Sequence, residues 1–387
     1  MKTNKTRSIL WGICFAGLIP FRLFSDASVK DTKPRDYPKN PEAEAPNPDV
    51  WPLELKVKGN RLVDTRGEDV WLQGLAIPGL EIMPEGHGNL YSSIVAVDEW
   101  HANVVRLPIK DDYWYGRGGG KYTQTDGGAA YRAQVDAIVI AVANRGAYLV
   151  LDHHRYRAVR PEHVTFWQDL AERYKNHPAV LFDIINEPHG ITWEVWRNGG
   201  EVREKVKVTV DESAFLSEEE KQKTVSFQSP GMQHLVNEIR ETGAQNIIIA
   251  GGLDWSYDLS GVIDGFALDD PKGNGIMYAT HVYPWKRGWQ KAFLDVAAHY
   301  PIFMGEVGAD VFKMPFIPDE AHEDPATWVP DMLGVIQKYR INWTGWSFHG
   351  WATPRMILDW EYTPTPFWGA LAKEALNGRQ FEVKQLR

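Results

Sequence analysis

The sequence predicts an α/β fold, a closed (β/α)8 barrel, on two observations. Eight short apolar segments rich in strand formers alternate along the chain with amphipathic segments of helical period. Polar side chains follow most of these segments, at the strand ends where parallel α/β folds carry their chemistry. The chain has 387 residues, and the part after its N-terminal extension suits one barrel with insertions.

Each predicted strand is a short apolar run bounded by polar or turn-forming residues. The eight are Val70–Ile77, Ala102–Pro108, Ala147–His153, Ala179–Asn186, Gln245–Ala250, Gly275–His281, Pro301–Glu306 and Ile341–Phe348. Predicted helices between them include Tyr131–Asn144, Phe166–Asn176, Met232–Thr242, Gln290–Tyr300 and Trp328–Tyr339. Ahead of them, Leu53–Val57 and Arg61–Val63 alternate around Gly59-Asn60, which predicts a hairpin that closes the bottom of the barrel.

The N-terminus has the pattern of an export signal. Basic residues precede an apolar run from Ile9 to Leu23, and Ser25-Asp26-Ala27 offers a small-x-small cleavage site. We expect residues 1–27 to be a signal peptide, with an uncleaved anchor as the alternative. The mature protein is then secreted or periplasmic and has no stable membrane insertion. Because the single cysteine, Cys14, lies in the signal, the mature chain has no disulfide.

Domain boundaries follow from composition. Residues 28–52 are rich in proline and charge, which predicts an extended, mobile linker, and residues 53–387 form the barrel domain. One connection, 193–228, is oversized. Trp193–Arg197 and Glu201–Val210 are expected to pair as a hairpin, and Ser217–Glu220 to open a short helix. This insertion is either a wall of the site or a solvated excursion.

The amino-acid composition limits the classes of molecule that the protein is expected to bind. The net charge is −9 and no block of basic residues stands out, so nucleic acid is excluded as a partner. The 17 Trp, 15 Tyr and 15 Phe include many rings that suit the apolar faces of sugars. We expect a monomer that acts on a polysaccharide or oligosaccharide and needs no cofactor or metal.

Two glutamates carry the predicted chemistry. The fourth strand is apolar apart from Asp183 and ends in Asn186-Glu187-Pro188, while the seventh strand ends at Glu306. An apolar setting disfavours the charged form of Glu187, a useful property for a proton donor. Since both glutamates end strands of one parallel barrel, they are expected to face each other across its mouth.

The combination of strand-end residues resembles glycoside hydrolase family 5, the cellulase-type retaining glycosidases. The resemblance covers about residues 53–377 outside the insertion, and Asn-Glu-Pro is its most specific motif. It implies that Glu187 is the catalytic acid/base and Glu306 the nucleophile. It also implies supporting roles around the cleaved bond for Arg106, His154, Asn186, His281, Tyr283 and Trp346.

Other assignments stay open at this level. The Asp-x-His pattern favours His154 over His153 as the supporting histidine. At least one of Trp343, Trp346 and Trp351 is expected to be plain core. Trp255 is chosen as a sugar platform, although it, Trp193, Trp285 and Trp289 suit core packing about equally well.

The resemblance implies a secreted retaining endo-β-glycanase, an enzyme that hydrolyses β-1,4-linked backbones by double displacement. We expect a β-1,4-glucan substrate of the cellulose type, as for an endoglucanase, with β-mannan as the runner-up. A different class is a metal-dependent barrel hydrolase that uses Asp152, His153, His154 and His281. A non-catalytic sugar-binding barrel is a further alternative, but it would not need both glutamates.

Overall fold

The computed structural model describes residues 36–204, 225–314 and 317–387. Eight parallel strands close a barrel, as predicted. Following the barrel round, they are β4 (Gln73–Ala76), β5 (Val104–Ile109), β6 (Tyr148–His153), β7 (Val180–Asp183), β10 (Ile248–Gly251), β11 (Ile276–Val282), β12 (Ile302–Val307) and β13 (Asn342–Gly345). Outside it, β1 (Leu55–Lys58), β2 (Arg61–Asp64) and β3 (Asp69–Val70) form one antiparallel sheet, and β8 (Gly200–Glu204) pairs with β9 (Val225–Ser229).

Helices follow the strands and cover the barrel. They are α1 (Asn89–Asp98), α2 (Asp111–Trp114), α3 (Ala129–Ala143), α4 (Pro161–Tyr174), α5 (Trp193–Asn198), α6 (Gly231–Glu241), α7 (Asp295–Ala297, continuing a π-helical turn at Gln290–Leu294), α8 (Pro325–Tyr339) and α9 (Gly369–Leu376). Short helical turns occur at Pro48–Val50, Gly120–Tyr122, Val262–Phe266 and Asp319–Ala321. Over the described ranges, no helix combines the length and apolarity needed to cross a membrane.

The N-terminal hairpin closes the bottom of the barrel, which confirms that prediction. Leu55 and Leu62 are buried in one cluster with interior residues of the barrel strands. The Val57 N–H donates to the Asn274 carbonyl at 2.8 Å, which joins the hairpin to the start of β11. The predicted start of the first barrel strand at Val70 is wrong. Val70 pairs antiparallel with β2, and the barrel strand begins at Gln73.

Alternation along the strands places a polar layer above an apolar one inside the barrel. Apolar interior residues from six barrel strands lie towards the bottom: Val104, Val150, Leu181, Ile249, Ala279 and Phe303. Two residues further along three of these strands are Arg106, Asp152 and Asp183, all 0% exposed. The apolar layer supplies the core, and the polar layer forms the floor of the mouth.

A β-bulge in β12 determines where Glu306 points. Phe303 faces the interior and Met304 packs on the helix side, so unbroken alternation would turn Glu306 outwards. The pairing with β11 shifts after Thr280, and the pairing with β13 shifts between Met304 and Val307. The extra residue, Gly305, reverses the alternation and turns Glu306 into the mouth. A Cβ at this position would lie 3.0 Å from His281 Nε2, a tight contact that glycine avoids.

The insertion differs from its prediction. Trp193–Asn198 is a helix, α5, rather than a hairpin arm, and the Thr192 hydroxyl caps it by accepting from Val195 N–H at 3.3 Å. Trp196 anchors this helix, because its indole N–H donates to the Gly251 carbonyl at 2.9 Å. The strand partner of β8 is β9. The arm predicted to reach Val210 and the predicted helix at 217–220 lie outside the described residues.

Residues 37–52, the second part of the predicted linker, are packed on the barrel instead of extending freely. Tyr37 stacks on His87 with ring centroids 4.1 Å apart. Glu44 pairs with Arg145 at 2.8 Å, and the Asn47 N–H donates to the Asn144 side chain at 2.9 Å. These contacts are with residues distant in sequence, so they could not be predicted from the composition of the segment. The predicted signal peptide, 1–27, lies outside the described residues.

Candidate active site

The two predicted glutamates lie together at the carboxyl-terminal mouth of the barrel. A carboxylate oxygen of Glu187, one of Glu306 and a ring nitrogen of His281 all lie within 4.8 Å of one another. His281 Nδ1 is 3.0 Å from Glu187 Oε1 and 3.7 Å from Glu306 Oε2. The Glu187 side chain is 14% exposed and that of Glu306 is 5% exposed, so both groups are largely withdrawn from water.

Glu306 is held by two strong donors. Arg106 Nη1 donates to Glu306 Oε1 at 3.1 Å, and the Tyr283 hydroxyl donates to Glu306 Oε2 at 2.5 Å. Burial and the charge of Glu306 raise the pKa of Tyr283 well above its usual value, so the hydroxyl keeps its proton. A guanidinium and a hydroxyl directed at one carboxylate stabilise negative charge on its oxygens.

Arg106 organises the floor of the site. Its side chain is fully buried and contacts Asp183 Oδ2 at 3.0 Å, Asp152 Oδ2 at 3.1 Å and Asn186 Oδ1 at 2.8 Å, besides Glu306. Burial raises the pKa of Asp152 to about 7 and that of Asp183 well above its ordinary value. The sequence analysis did not select Asp183, although a charged residue in an otherwise apolar strand was the available signal.

Glu187 has a different environment. Withdrawal from water, followed by the negative charge of Glu306, raises the pKa of Glu187 well above its ordinary value. Its hydrogen-bond partner is His281, whose own pKa is lowered well below 6.5 by burial and then by Arg106. The imidazole is therefore neutral. It can exchange a hydrogen bond with a protonated carboxyl, but it cannot supply the positive charge that would ionise Glu187.

His154 faces the carboxylates and His153 does not. His154 Nδ1 is 2.6 Å from Asp152 Oδ2, and its ring is parallel to that of Trp346 with centroids 6.0 Å apart. Burial lowers the pKa of His154 to about 3. His153 turns to the other side, where Nε2 lies 3.3 Å from Asp111 and the ring packs on Phe166.

This arrangement removes the metal-ligand set considered from the sequence. Asp152, His153, His154 and His281 do not converge, because His153 is directed to Asp111. Among the described residues, the group whose ligand atoms meet within 4.8 Å is Glu187, His281 and Glu306. The adjacent Arg106 guanidinium already supplies positive charge to Glu306.

The tryptophans separate into core and surface. Trp343 and Trp289 are 0% exposed and belong to the core, whereas Trp346 is partly exposed at the end of β13. Trp255 is 41% exposed and stacks on His189 with centroids 4.2 Å apart. Of the other candidates, Trp193 packs near Phe266, and Trp285 lies parallel to Tyr283 with centroids 4.9 Å apart.

An eight-stranded parallel barrel with a close carboxylate pair and a buried arginine at its mouth is typical of barrel glycoside hydrolases. Comparison with known proteins gives the family. The family model described as Cellulase (glycosyl hydrolase family 5) matches residues 63–350, and the chain belongs to this family.

Named relatives are distant. The chain is 26% identical over 309 residues to endoglucanase 5 of Pectobacterium carotovorum subsp. carotovorum, covering 76% of this chain and 50% of that protein. It is 22% identical over 312 residues to endoglucanase E-5 of Thermobifida fusca, covering 76% of this chain and 55% of that protein. The chain thus spans about half the length of these curated relatives.

Solved structures support the fold. The β-glucanase SdGluc5_26A of Saccharophagus degradans, solved with cellotetraose, superposes with a TM-score of 0.67 at 21% identity, covering 87% of this chain and 97% of that one. The catalytic domain of Thermobifida fusca endoglucanase Cel5A, also solved with cellotetraose, gives a TM-score of 0.59 at 17% identity, covering 84% of this chain and 97% of that one.

Proposed function

We propose that this protein is a retaining endo-β-1,4-glycanase that cleaves a glucan backbone by double displacement. The observation that carries the proposal is the spacing of the two carboxylates, whose closest oxygens lie within 4.8 Å. Retaining glycosidases place their carboxyl groups about 5–5.5 Å apart, whereas inverting enzymes need roughly 6.5–9.5 Å to admit a water molecule. Oxygens this close are typical of the retaining arrangement and favour it over the inverting one.

The surroundings of the two glutamates indicate which is the nucleophile and which is the acid/base. Glu306, whose carboxylate accepts hydrogen bonds from Arg106 and Tyr283, attacks the anomeric carbon and forms the glycosyl-enzyme bond. Glu187, kept protonated by burial and by the charge of Glu306, delivers its proton to the oxygen of the leaving sugar. Glu187 is then ionised and takes a proton from the water that hydrolyses the glycosyl-enzyme bond, which restores both groups.

The remaining polar groups suit a sugar ring between the glutamates. Asn186 accepts from Arg106 through Oδ1, and its amide Nδ2 is buried with no hydrogen-bond partner among the described residues. A donor left unpaired in a buried site is costly, and a sugar 2-hydroxyl would satisfy it. His154 and Trp346, with parallel rings, offer a polar edge and an aromatic face beside the same position.

The substrate class is inferred from the relatives of the chain, and the location from its N-terminal sequence. The curated relatives carry the name endoglucanase, and two solved relatives hold cellotetraose, which favours a β-1,4-glucan over the runner-up, β-mannan. The N-terminal pattern of basic residues, apolar run and small-x-small site supports export to the periplasm or medium.

The test is a panel of soluble polysaccharides: carboxymethylcellulose, mixed-linkage β-glucan, xyloglucan and mannan. We expect new reducing ends on the β-glucans and a fall in viscosity early in the reaction, as internal cleavage requires. Release of small products without loss of viscosity would show exo action, and cleavage of mannan alone would replace the glucan assignment.

A further inference from the structure

Two hydrogen bonds fix the backbone around each glutamate, one before it and one after it, and the donors are of the same two kinds at both glutamates. At Glu306, the preceding carbonyl, Gly305 O, accepts from the Thr344 hydroxyl at 2.6 Å, and the following one, Val307 O, accepts from Trp346 N–H at 2.8 Å. Both donors come from β13 and the residue just after it, on the next strand round the barrel.

The arrangement repeats at Glu187. The preceding carbonyl, Asn186 O, accepts from the Ser256 hydroxyl at 2.6 Å, and the following one, Pro188 O, accepts from Trp255 N–H at 3.1 Å. Both donors again lie beyond the next barrel strand, β10. Each glutamate is therefore flanked by one buried hydroxyl bond and by the backbone N–H of a tryptophan at the mouth.

The two hydroxyls donate at places where the regular strand pairing is interrupted or has ended. The β12–β13 pairing skips Gly305 and Glu306, and the Thr344 hydroxyl donates to Gly305 O within this gap. Strand β10 ends at Gly251, and the chain then turns through Asp254, Trp255 and Ser256 with φ of 54°, 57° and 58°. That turn brings the Ser256 hydroxyl back to Asn186.

Three successive non-glycine residues in the left-handed region are costly and persist only where the surroundings hold them. Leu253 and Asp258 exchange hydrogen bonds of 2.9 and 2.8 Å across the turn, and Lys286 Nζ donates to the Asp254 carbonyl at 3.0 Å. A Cβ at Gly251 would collide with the Ser256 hydroxyl, so glycine at the strand end leaves room for this side chain. Ser256 and Thr344 are both 0% exposed.

We infer that Ser256 and Thr344 are positioning residues, Ser256 for the acid/base Glu187 and Thr344 for the nucleophile Glu306. Each hydroxyl fixes the peptide that precedes its glutamate and so sets the direction of that carboxyl. This inference rests on the roles proposed above for the two glutamates. A displacement of about 1 Å at a reacting group can lower a rate by roughly 100-fold, so loss of either bond is measurable.

The experiment measures kcat/KM of two variants of the full-length protein, Ser256→Ala and Thr344→Val. Each variant is assayed with two substrates. One is an unactivated cello-oligosaccharide, and the other is a dinitrophenyl cellobioside, whose leaving group needs no proton. For Ser256→Ala we expect kcat/KM to fall roughly 10- to 100-fold on the oligosaccharide and less than about threefold on the aryl glycoside. For Thr344→Val we expect similar falls on both, because attack by Glu306 is common to both.

Further variants separate positioning from folding. Ser256→Gly also lacks the hydroxyl but relieves the left-handed backbone, so it should reproduce the kinetic defect of Ser256→Ala without its loss of stability. Thr344→Ser keeps a hydroxyl and should restore most of the activity lost in Thr344→Val. Gly251→Ala, whose methyl group would collide with the Ser256 hydroxyl and displace it, should give the same substrate selectivity as Ser256→Ala.

Equal losses on both substrates in Ser256→Ala and Ser256→Gly, or failure of Thr344→Ser to restore activity, would overturn the inference. The glutamate roles have an independent test in the configuration of azide products from Glu187→Ala and Glu306→Ala. If those products agree with the roles but the selectivity is missing, only the positioning inference fails. If they disagree, the proposed mechanism fails.

Discussion

The surroundings of Glu187 and Glu306 differ, although the two carboxyls lie within 4.8 Å of each other. Glu306 receives a guanidinium and a tyrosine hydroxyl, while Glu187 has a neutral imidazole as its partner. Two carboxyls this close do not both ionise readily, so the proton goes to the one without a cation. The comparison indicates that the partners of each glutamate, rather than the residue type, separate the proposed acid from the proposed nucleophile.

Removing the carboxyls themselves should have the largest effect. Glu306→Ala should lower kcat on every substrate by roughly 10⁴-fold or more, since no glycosyl-enzyme can form. Glu187→Ala should lower kcat/KM on oligosaccharides by roughly 10²- to 10⁴-fold and spare the first step on an activated aryl glycoside. Added azide should give a retained product with Glu187→Ala and an inverted product with Glu306→Ala. The opposite pair of configurations would exchange the two roles.

Arg106→Lys should reduce the difference between the surroundings of Glu187 and those of Glu306. A lysine cannot reach Asp152, Asp183 and Glu306 together, so Glu306 loses a donor and buried carboxylates lose their counter-charge. We expect kcat/KM to fall by roughly 10²- to 10³-fold. Lys110→Arg, a change of similar chemistry at a buried lysine beside Asp112, is the matched control. Activity within about twofold of wild type in Arg106→Lys would mean that Arg106 has only a structural role.

The raised pKa of Glu187 gives a pH prediction. Because the acid must be protonated, kcat/KM should fall as pH rises through the pKa of Glu187, which lies above the ordinary value of 4.5. The charge of Glu306 contributes to that shift, so Glu306→Gln should lower the pKa of Glu187. Carbon-13 NMR of the labelled carboxyl measures this directly in the inactive variant. An unchanged pKa would remove Glu306 as a cause and leave burial alone.

Trp255→Ala should have the smallest effect. Trp255 is 41% exposed, its backbone N–H donates to the Pro188 carbonyl next to Glu187, and it is the sugar platform predicted from the sequence. Loss of one stacking contact costs about 1 kcal/mol, so we expect KM for long oligosaccharides to rise about fivefold. Tyr91→Ala, at an exposed ring on α1, is the control. Equal effects on short and long substrates would assign Trp255 to packing.

The sequence predicted the barrel and its eight strands from apolar periodicity, and it predicted from strand-end position that both glutamates lie at the mouth. It could not predict the bulge at Gly305, since a register shift depends on both neighbouring strands. Asp183 stood out as a charged residue in an otherwise apolar strand, but its partner, Arg106, lies 77 residues away, so its place in the site could not be predicted. In the insertion, Trp193–Arg197 belongs to helix α5 but was predicted as a hairpin arm, because the Thr192 cap was not considered.

The stereochemistry of the wild-type reaction tests the central claim most directly. Proton NMR of the anomeric signal, recorded in the first minutes before mutarotation, gives the configuration of the sugar as it leaves the enzyme. Attack by Glu306 followed by water assisted by Glu187 inverts the anomeric carbon twice, so the account predicts that a β-linked glucan releases the β-anomer first. First release of the α-anomer would contradict the account, because it requires a single displacement by water and leaves Glu306 without its role as nucleophile.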